Sequence, residues 1–528
     1  MSLEARLIQS IPLDTIGIFG LDSQTNATAL DPKWFTKADN ITYTEGGKIT
    51  FRKGLKQGTL QVPGGGTIGA MIEHYDGSTM KHFAASGADI YELDLSDKDD
   101  AFPIATKYTS AISTSDWQFI NINNEVLALQ SGAEFLHYES GAWDLISADT
   151  AYHHPNGVTV FDPSCGLGYY GRAWVGGISE ENDVLYYSSL LDVHDWSVGD
   201  AGIIDLKSVW GQDEIVAIHA FAGKLAIFGK SNIALYNNAN DISNLALDEV
   251  ITGVGCVSRD SVQAIGDDLY FLSDTGVRSL YRTAQFDKLP LQEKSQTIKD
   301  EIISNIKSSK KVKSAYSQED GLYILSFVEK NVTYVFDRSK LTEKKTPRIT
   351  KWTFDNNRHP ASLLYSSTYG LLVGQTSGRV ATHEGYYDVD YSGSSVYTYN
   401  SYTSSFSTVW IDLGQGVVSS ILKRLIIVVS GGQGTDVGVR LYKDFEQAPK
   451  IIPTFKLNPA LSGISALWGN AVSLFGQSKY APIHGLKEHS IPLAGNAKYV
   501  RFEMDEVSKG YKASLQSLSL LFKRGKTL

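Results

Sequence analysis

Residues 214–237 read EIVAIHAFAGKLAIFGKSNIALYN. Three runs of aliphatic and aromatic residues are separated by two short breaks, Ala222-Gly223 and Lys230-Ser231. The breaks are too tight for anything but hairpin turns, and the runs are too short for buried helices. The next segment repeats the design: SVQAIGDDLYFLSDTGVRSLYR (261–282) turns at Gly266-Asp267-Asp268 and at Asp274-Thr275-Gly276. Gly supplies positive φ, and Asn and Asp tolerate it, so these residues punctuate hairpins. Looser copies begin near Thr67, Trp117, Leu167, Ser314 and Pro360. The period, roughly 45–55 residues, is that of propeller blades. A lone meander leaves a face exposed, whereas radial packing against neighbours buries both faces. The expected fold is all-β: a six- or seven-bladed β-propeller over 65–392, preceded by an extended segment and hairpin (1–64) and followed by a separate β-sandwich (393–528). Regular strand spacing by itself also fits paired sandwiches or an irregular β domain.

One stretch breaks the pattern. LQEKSQTIKDEIISNIK (291–307) sets Ile298, Ile302 and Ile306 on one helical face, with Ser295 as N-cap and Lys307, Lys310 and Lys311 near the C-terminus. A helix inserted between blades is expected there. Upstream, the flanks Asn40–Thr44 and Lys48–Arg52 form a hairpin around Glu45-Gly46-Gly47. Downstream, Ser and Tyr fill a linker-like 393–405. Long strands follow at 408–414, 423–431, 436–444, 489–495, 498–505 and 515–524. The run Leu425–Val429 reads as a fully buried central strand, and 500–504 as a half-exposed one. The excursion 450–488 is of a length expected to be either functional or disordered.

The 528 residues carry a net charge of −10, and 11% are aromatic, including 28 Tyr and 9 Trp. This is a globular composition, and its acidity argues against a protein whose main task is to grip nucleic acid. Cys165 and Cys256 stand far apart, which excludes a disulfide scaffold and disfavours a Cys-based zinc site. The N-terminus has no apolar core of a secretory signal, and no apolar run reaches membrane-spanning length. Synthesis and folding in a cytoplasm are expected.

Chemical signatures are sparse along the chain. Adjacent His153-His154 would point apart more often than together, so no metal site is expected from them. DLSDKDD (94–100) lacks the Gly and distal Glu of a calcium loop. PGGGTIG (63–69) lacks the Lys-Ser/Thr of a phosphate loop, and GVGCVS (253–258) misses the third Gly of a dinucleotide loop. No catalytic, cofactor-binding or metal residues are assigned. Lys310, Lys311, Lys344 and Lys345 are solvated positions first, and candidate phosphate contacts second.

Several segments together carry a resemblance. LDPKWFTKADNITYTEGGKITFRKG (30–54), VLYYSSLLDVHDWS (184–197), 220–236, 255–280, TVWIDLG and KRLIIVV resemble the tail nozzle, or tail tubular protein B-like, packaged-DNA-stabilisation hub family of short-tailed bacteriophages. Asn40, Gly46, Gly47, Arg52, Gly54, Trp196, Gly276 and Trp410 fill its motif positions. The resemblance spans about residues 15–525 and leaves 450–488 unmatched. It implies a non-enzymatic virion protein without cofactors, located in the tail and assembled in the host cytoplasm. It further implies a ring of copies, hexameric in relatives, below portal and adaptor proteins. Tail fibres or spikes would be further possible partners. The ring would extend the channel, retain the packaged double-stranded DNA and permit its ejection. A net acidic wall would repel phosphates and ease sliding. A carbohydrate- or receptor-binding propeller, and a propeller glycosidase or lyase, stand as alternatives.

Overall fold

The computed structural model describes residues 8–525 except 14, 45–46, 97–103, 110–115, 282–290, 340, 343–345, 356, 392–395, 414–417, 433 and 458–485. Alternating turns and strands build a β-propeller. Six blades, at 70–109, 117–145, 165–205, 215–252, 263–293 and 312–352, are antiparallel meanders of four consecutive strands. The seventh takes three strands from 360–383 and its fourth from far upstream, Leu55–Gln57. The pairing runs Ala381↔Gln57 to His383↔Leu55, and Thr59 Oγ1 accepts from the Val380 amide at 2.9 Å. The ring is thus fastened by non-adjacent parts of the chain, which leaves no open sheet edge at the join. Apolar seams fill the gaps between blades, with Trp117, Trp174 and Trp352 essentially buried. Among the described residues no helix is long and apolar enough to cross a membrane.

The inserted helix is present but shorter than expected, Lys299–Ser308, with Ile298 and Ile302 buried. Residues 291–293 are instead the last strand of blade 5. Ser295 does stand at the N-cap of the short turn Gln296–Ile298 that leads into the helix, but its side chain caps no amide there: its Oγ accepts from the Val277 amide at 2.9 Å and so serves the sheet.

Beside the propeller lies the β-sandwich, and it is not closed by the C-terminal residues alone. One sheet sets Ile8–Pro12, Ile41–Tyr43 and Ile49–Phe51 with Ser420–Gly431, Leu486–Pro492 and Ala513–Lys523. The other continues from blade 6 through Phe35–Asp39 into Thr403–Thr408, Tyr499–Val507, Asp436–Lys443 and Lys450–Lys456. A single apolar core runs from Leu13 and Phe35 through Tyr323 and Phe336 of blade 6 to Leu425 and Phe502. The sandwich therefore shares its interior with the propeller instead of standing apart. The linker-like 393–405 contains the strand Tyr397–Asn400 and the start of Thr403–Thr408. Ser420–Gly431 is central, as expected, but Leu425, Ile427 and Val429 are buried while Ile426 and Val428 are half-buried. Only one face of that sheet looks into the core, so burial follows the period of two. Most of the 450–488 excursion lies outside the described residues.

Blades 6 and 7 meet at a buried histidine. His359 lies 3.0 Å from Ser326 Oγ through Nε2, and burial lowers its pKa to about 4. His383, stacked on Trp352 at 5.0 Å, is also held well below the usual imidazole range by burial and by Lys53 and Arg52. Both imidazoles are harder to protonate folded than unfolded. The unfolded chain therefore binds protons first as pH drops below about 6.5. Stability should fall between pH 6.5 and 4, by roughly 3 kcal/mol for His359 alone. Denaturant unfolding of the wild type and His359→Gln at pH 7, 5.5 and 4.5 checks this. A slope unchanged by the substitution would assign the acid sensitivity elsewhere.

Candidate functional site

The residues of the N-terminal motif converge on the joint between propeller and sandwich. Asn40 adopts φ 54° between the strands Phe35–Asp39 and Ile41–Tyr43, a conformation Asn tolerates better than most residues. Its Nδ2 donates to Thr403 O at 2.7 Å and Thr353 Oγ1 at 2.8 Å. Its Oδ1 accepts from the Thr353 amide at 2.8 Å and from Arg52 Nε at 3.2 Å. Arg52 is fully buried. Its guanidinium forks onto Asp388, at 3.0 Å to Oδ1 and 2.9 Å to Oδ2, and lies 3.8 Å from the Tyr402 ring centroid and 4.5 Å from that of Phe354. Asp388 Oδ1 also accepts from the Leu55 amide at 3.0 Å, where the ring-closing strand begins. Gly54 passes so close to the chain that an added Cβ would lie 1.8 Å from Tyr387 O. A second buried pair, Arg348 to Asp337 at 2.6 Å, anchors blade 6, with Arg348 4.4 Å from the Tyr43 ring centroid. One connected polar joint thus links blade 6, blade 7, the hairpin and the sandwich.

The other motif residues are dispersed. Gly47 closes the hairpin at φ 81°, and Gly46 lies outside the described residues. Trp196 fills an aromatic nest in blade 3 with Phe135 and Phe161, its Nε1 donating to Val193 O at 2.7 Å. Gly276 leaves room for the Ser295 hydroxyl, which an added Cβ would approach to 2.5 Å. Trp410 is half-buried on the sandwich, with the Arg501 guanidinium 5.1 Å from its ring centroid.

The inner strands of all seven blades line an axial channel of about 370 Å³. Arg259, in the turn that enters blade 5, reaches across it. Its guanidinium bonds to Ser164 O and Asp116 Oδ1, and to Trp117 O at 3.1 Å, on blades 3 and 2. Asp260 pairs with Lys313 of blade 6 at 2.7 Å. Burial opposes the charges of both Arg259 and Asp260, yet Lys313 and Arg259 hold Asp260 below the usual carboxylate range, and Asp260 and Asp116 raise Arg259. The axis is therefore tied by a fixed ionic web. Asp260 is the one carboxylate among the described residues lining the channel. Lys310 and Lys311 are exposed at one mouth, an opening of about 460 Å³ that also holds Asp116 and Glu214, so the rim is of mixed charge. The Lys310 amide donates to Glu329 Oε2 at 2.7 Å. Lys344 and Lys345 lie outside the described residues. Cys165 and Cys256 are buried free thiols, pushed up to about 12 and 11 chiefly by burial, and so are poor nucleophiles.

His153 and His154 do not act as a pair. His154 Nδ1 lies 2.8 Å from Pro155 O, while the His153 amide donates to His194 O at 2.8 Å. It is His194 that meets another histidine, His137, edge to face at 5.0 Å between centroids.

No family model matches the chain, and no curated protein matches it by sequence. Among solved structures it is similar to the WD40 domain of Neurospora crassa Pan2, at 9% identity and a TM-score of 0.35, over 60% of this chain and 88% of that one. By the arrangement of its own sheets, the chain is a β-propeller protein with a β-sandwich built onto it.

Proposed function

We propose that the chain is a structural subunit of the tail nozzle of a short-tailed bacteriophage, a non-enzymatic hub that assembles as a ring beneath portal and adaptor. The observation that carries the reading is the joint. Asn40, Arg52 and Gly54, which carry the sequence resemblance, hold propeller and sandwich in one fixed relation. A load-transmitting ring element needs that rigidity. Arg259 spans the propeller's own axis, so a DNA path would run along the axis of a ring of copies, with the net charge of −10 repelling phosphate from the wall. Ring neighbours would meet through exposed apolar side chains of blade 3, of which Leu190, Leu191 and Ile203 are the most exposed.

Negative-stain microscopy of the purified chain tests this reading. Rings with a hole of duplex width are expected, and Leu190→Asp with Leu191→Asp should reduce them to monomers. A glycan- or receptor-binding propeller is the second reading, favoured by the Tyr169–Tyr170 ring pair, 4.1 Å apart at a blade 3 turn. Monomers that bind a glycan array would select it over the ring.

A further inference from the structure

The side chains around His137 and His194 form a compact group that the structural role does not use. His137 and Glu139 are two residues apart on the third strand of blade 2, Ala133–Glu139, and therefore share a face. Asp149 follows the turn Ile146–Ala148. His194 comes from blade 3, in the connection between Val184–Tyr187 and Gly202–Asp205. One donor atom from each of the four lies within 4.8 Å of the others. His137 Nε2 is 3.7 Å from Glu139 Oε2, and His194 Nε2 is 3.6 Å from Asp149 Oδ2. Both gaps are too long for hydrogen bonds, and His194 Nε2 is buried with no hydrogen-bond partner.

Those separations suit a shared ion. Zinc takes N and O ligands at about 2.0–2.2 Å in a tetrahedron, which places ligand atoms roughly 3.3–3.6 Å apart. The two imidazole–carboxylate gaps already sit close to that edge length, and side-chain rotation of about 1 Å gathers the rest. The outer support is also in place. Asp192 Oδ1 accepts the His194 amide at 2.9 Å and so fixes the backbone that carries the imidazole, with the carboxylate 3.5 Å from His194 Nδ1. Glu125 Oε2 is buried without a partner.

We propose that His137, Glu139, Asp149 and His194 bind one divalent transition-metal ion, zinc by preference, in a closed site that pins the blade 3 connection to blade 2. Four protein ligands fill a tetrahedron and leave no open position, which makes the site structural and not catalytic. Carboxylates beside two imidazoles favour zinc over the softer thiolate-seeking ions. The site stands whether or not the chain forms a tail ring.

The test uses the full chain stripped with chelator, dialysed and titrated with zinc chloride. The expected result is one zinc per chain, a melting midpoint raised by a few degrees, and tetrahedral cobalt bands in the visible spectrum when cobalt(II) replaces zinc. His194→Gln and Glu139→Gln, which keep side-chain bulk, should each lose at least tenfold in affinity and the cobalt bands, with far-UV circular dichroism unchanged. His489→Ala, on the sandwich, should bind as wild type. Folded wild-type protein that takes up no stoichiometric zinc overturns the proposal. So does a His194→Gln variant that retains the cobalt spectrum.

Discussion

Replacing Arg52 with Ala is expected to cost about 3–5 kcal/mol of folding stability, because it leaves the Asp388 carboxylate buried without its partner. The pair is bidentate, and the Arg52 side chain is fully shielded from water. Truncation also deprives Asn40 Oδ1 of one donor and the Tyr402 and Phe354 rings of the cation between them. Lys at this position should recover only part of the loss, since an ammonium cannot reproduce the fork. The double change Arg52→Met with Asp388→Leu removes the stranded charge and should recover more. It still leaves the Leu55 amide, now bonded to Asp388 Oδ1, without an acceptor, at about 1–3 kcal/mol. Denaturation midpoints of the three variants give the ranking. A single-variant loss below about 1 kcal/mol would mean that water or a neighbour relieves the carboxylate.

Phe35→Ala should cost a similar ~3–5 kcal/mol, the usual penalty for emptying a large aromatic site in a close-packed core. Phe35 is fully buried, and its ring lies 4.8 Å from Phe406 of the sandwich. Gly17 is moulded to it: an added Cβ there would meet the ring at 2.0 Å. The prediction separates two views of the N-terminal lead. If residues 8–39 were an appendage, the variant would leave the main unfolding transition where it is and only fray the lead. Because Phe35 shares a core with Tyr323, Leu425 and Phe502, the whole transition should move, and limited proteolysis near residues 17–34 should accelerate with it.

Local chemistry made the blades legible. Ala222-Gly223 turns with φ 49° and 80°, and the strands Ile215–Phe221, Lys224–Gly229 and Asn232–Asn237 fall where the apolar runs are. Non-local pairing stayed hidden. Leu55–Gln57 is three residues long and carries no sign that it completes a sheet more than 300 positions downstream. The Arg52–Asp388 pair is separated by 336 positions, and nothing near either residue marks the other. The same holds for His137 and His194: neither stands in a recognisable ligand spacing, and the second imidazole arrives from the next blade. Ser295 misled for a physical reason. The Cβ-free Gly276 opposite draws its hydroxyl into the sheet, away from helix capping.

The fastening of the seventh blade also governs the order of events at the ribosome. Leu55–Gln57 emerges early, but Val380–His383, the strand it must pair with, is made more than 300 residues later. Throughout that interval the growing arc carries an uncovered apolar blade face at each end, and Leu55–Gln57 lacks the strand that satisfies its backbone. Such late, long-range closure is slow and exposes the nascent chain to pairing with a stranger. Crowded synthesis of many copies should therefore yield mis-stitched oligomers, and slowing translation or lowering temperature should raise the fraction of sealed discs.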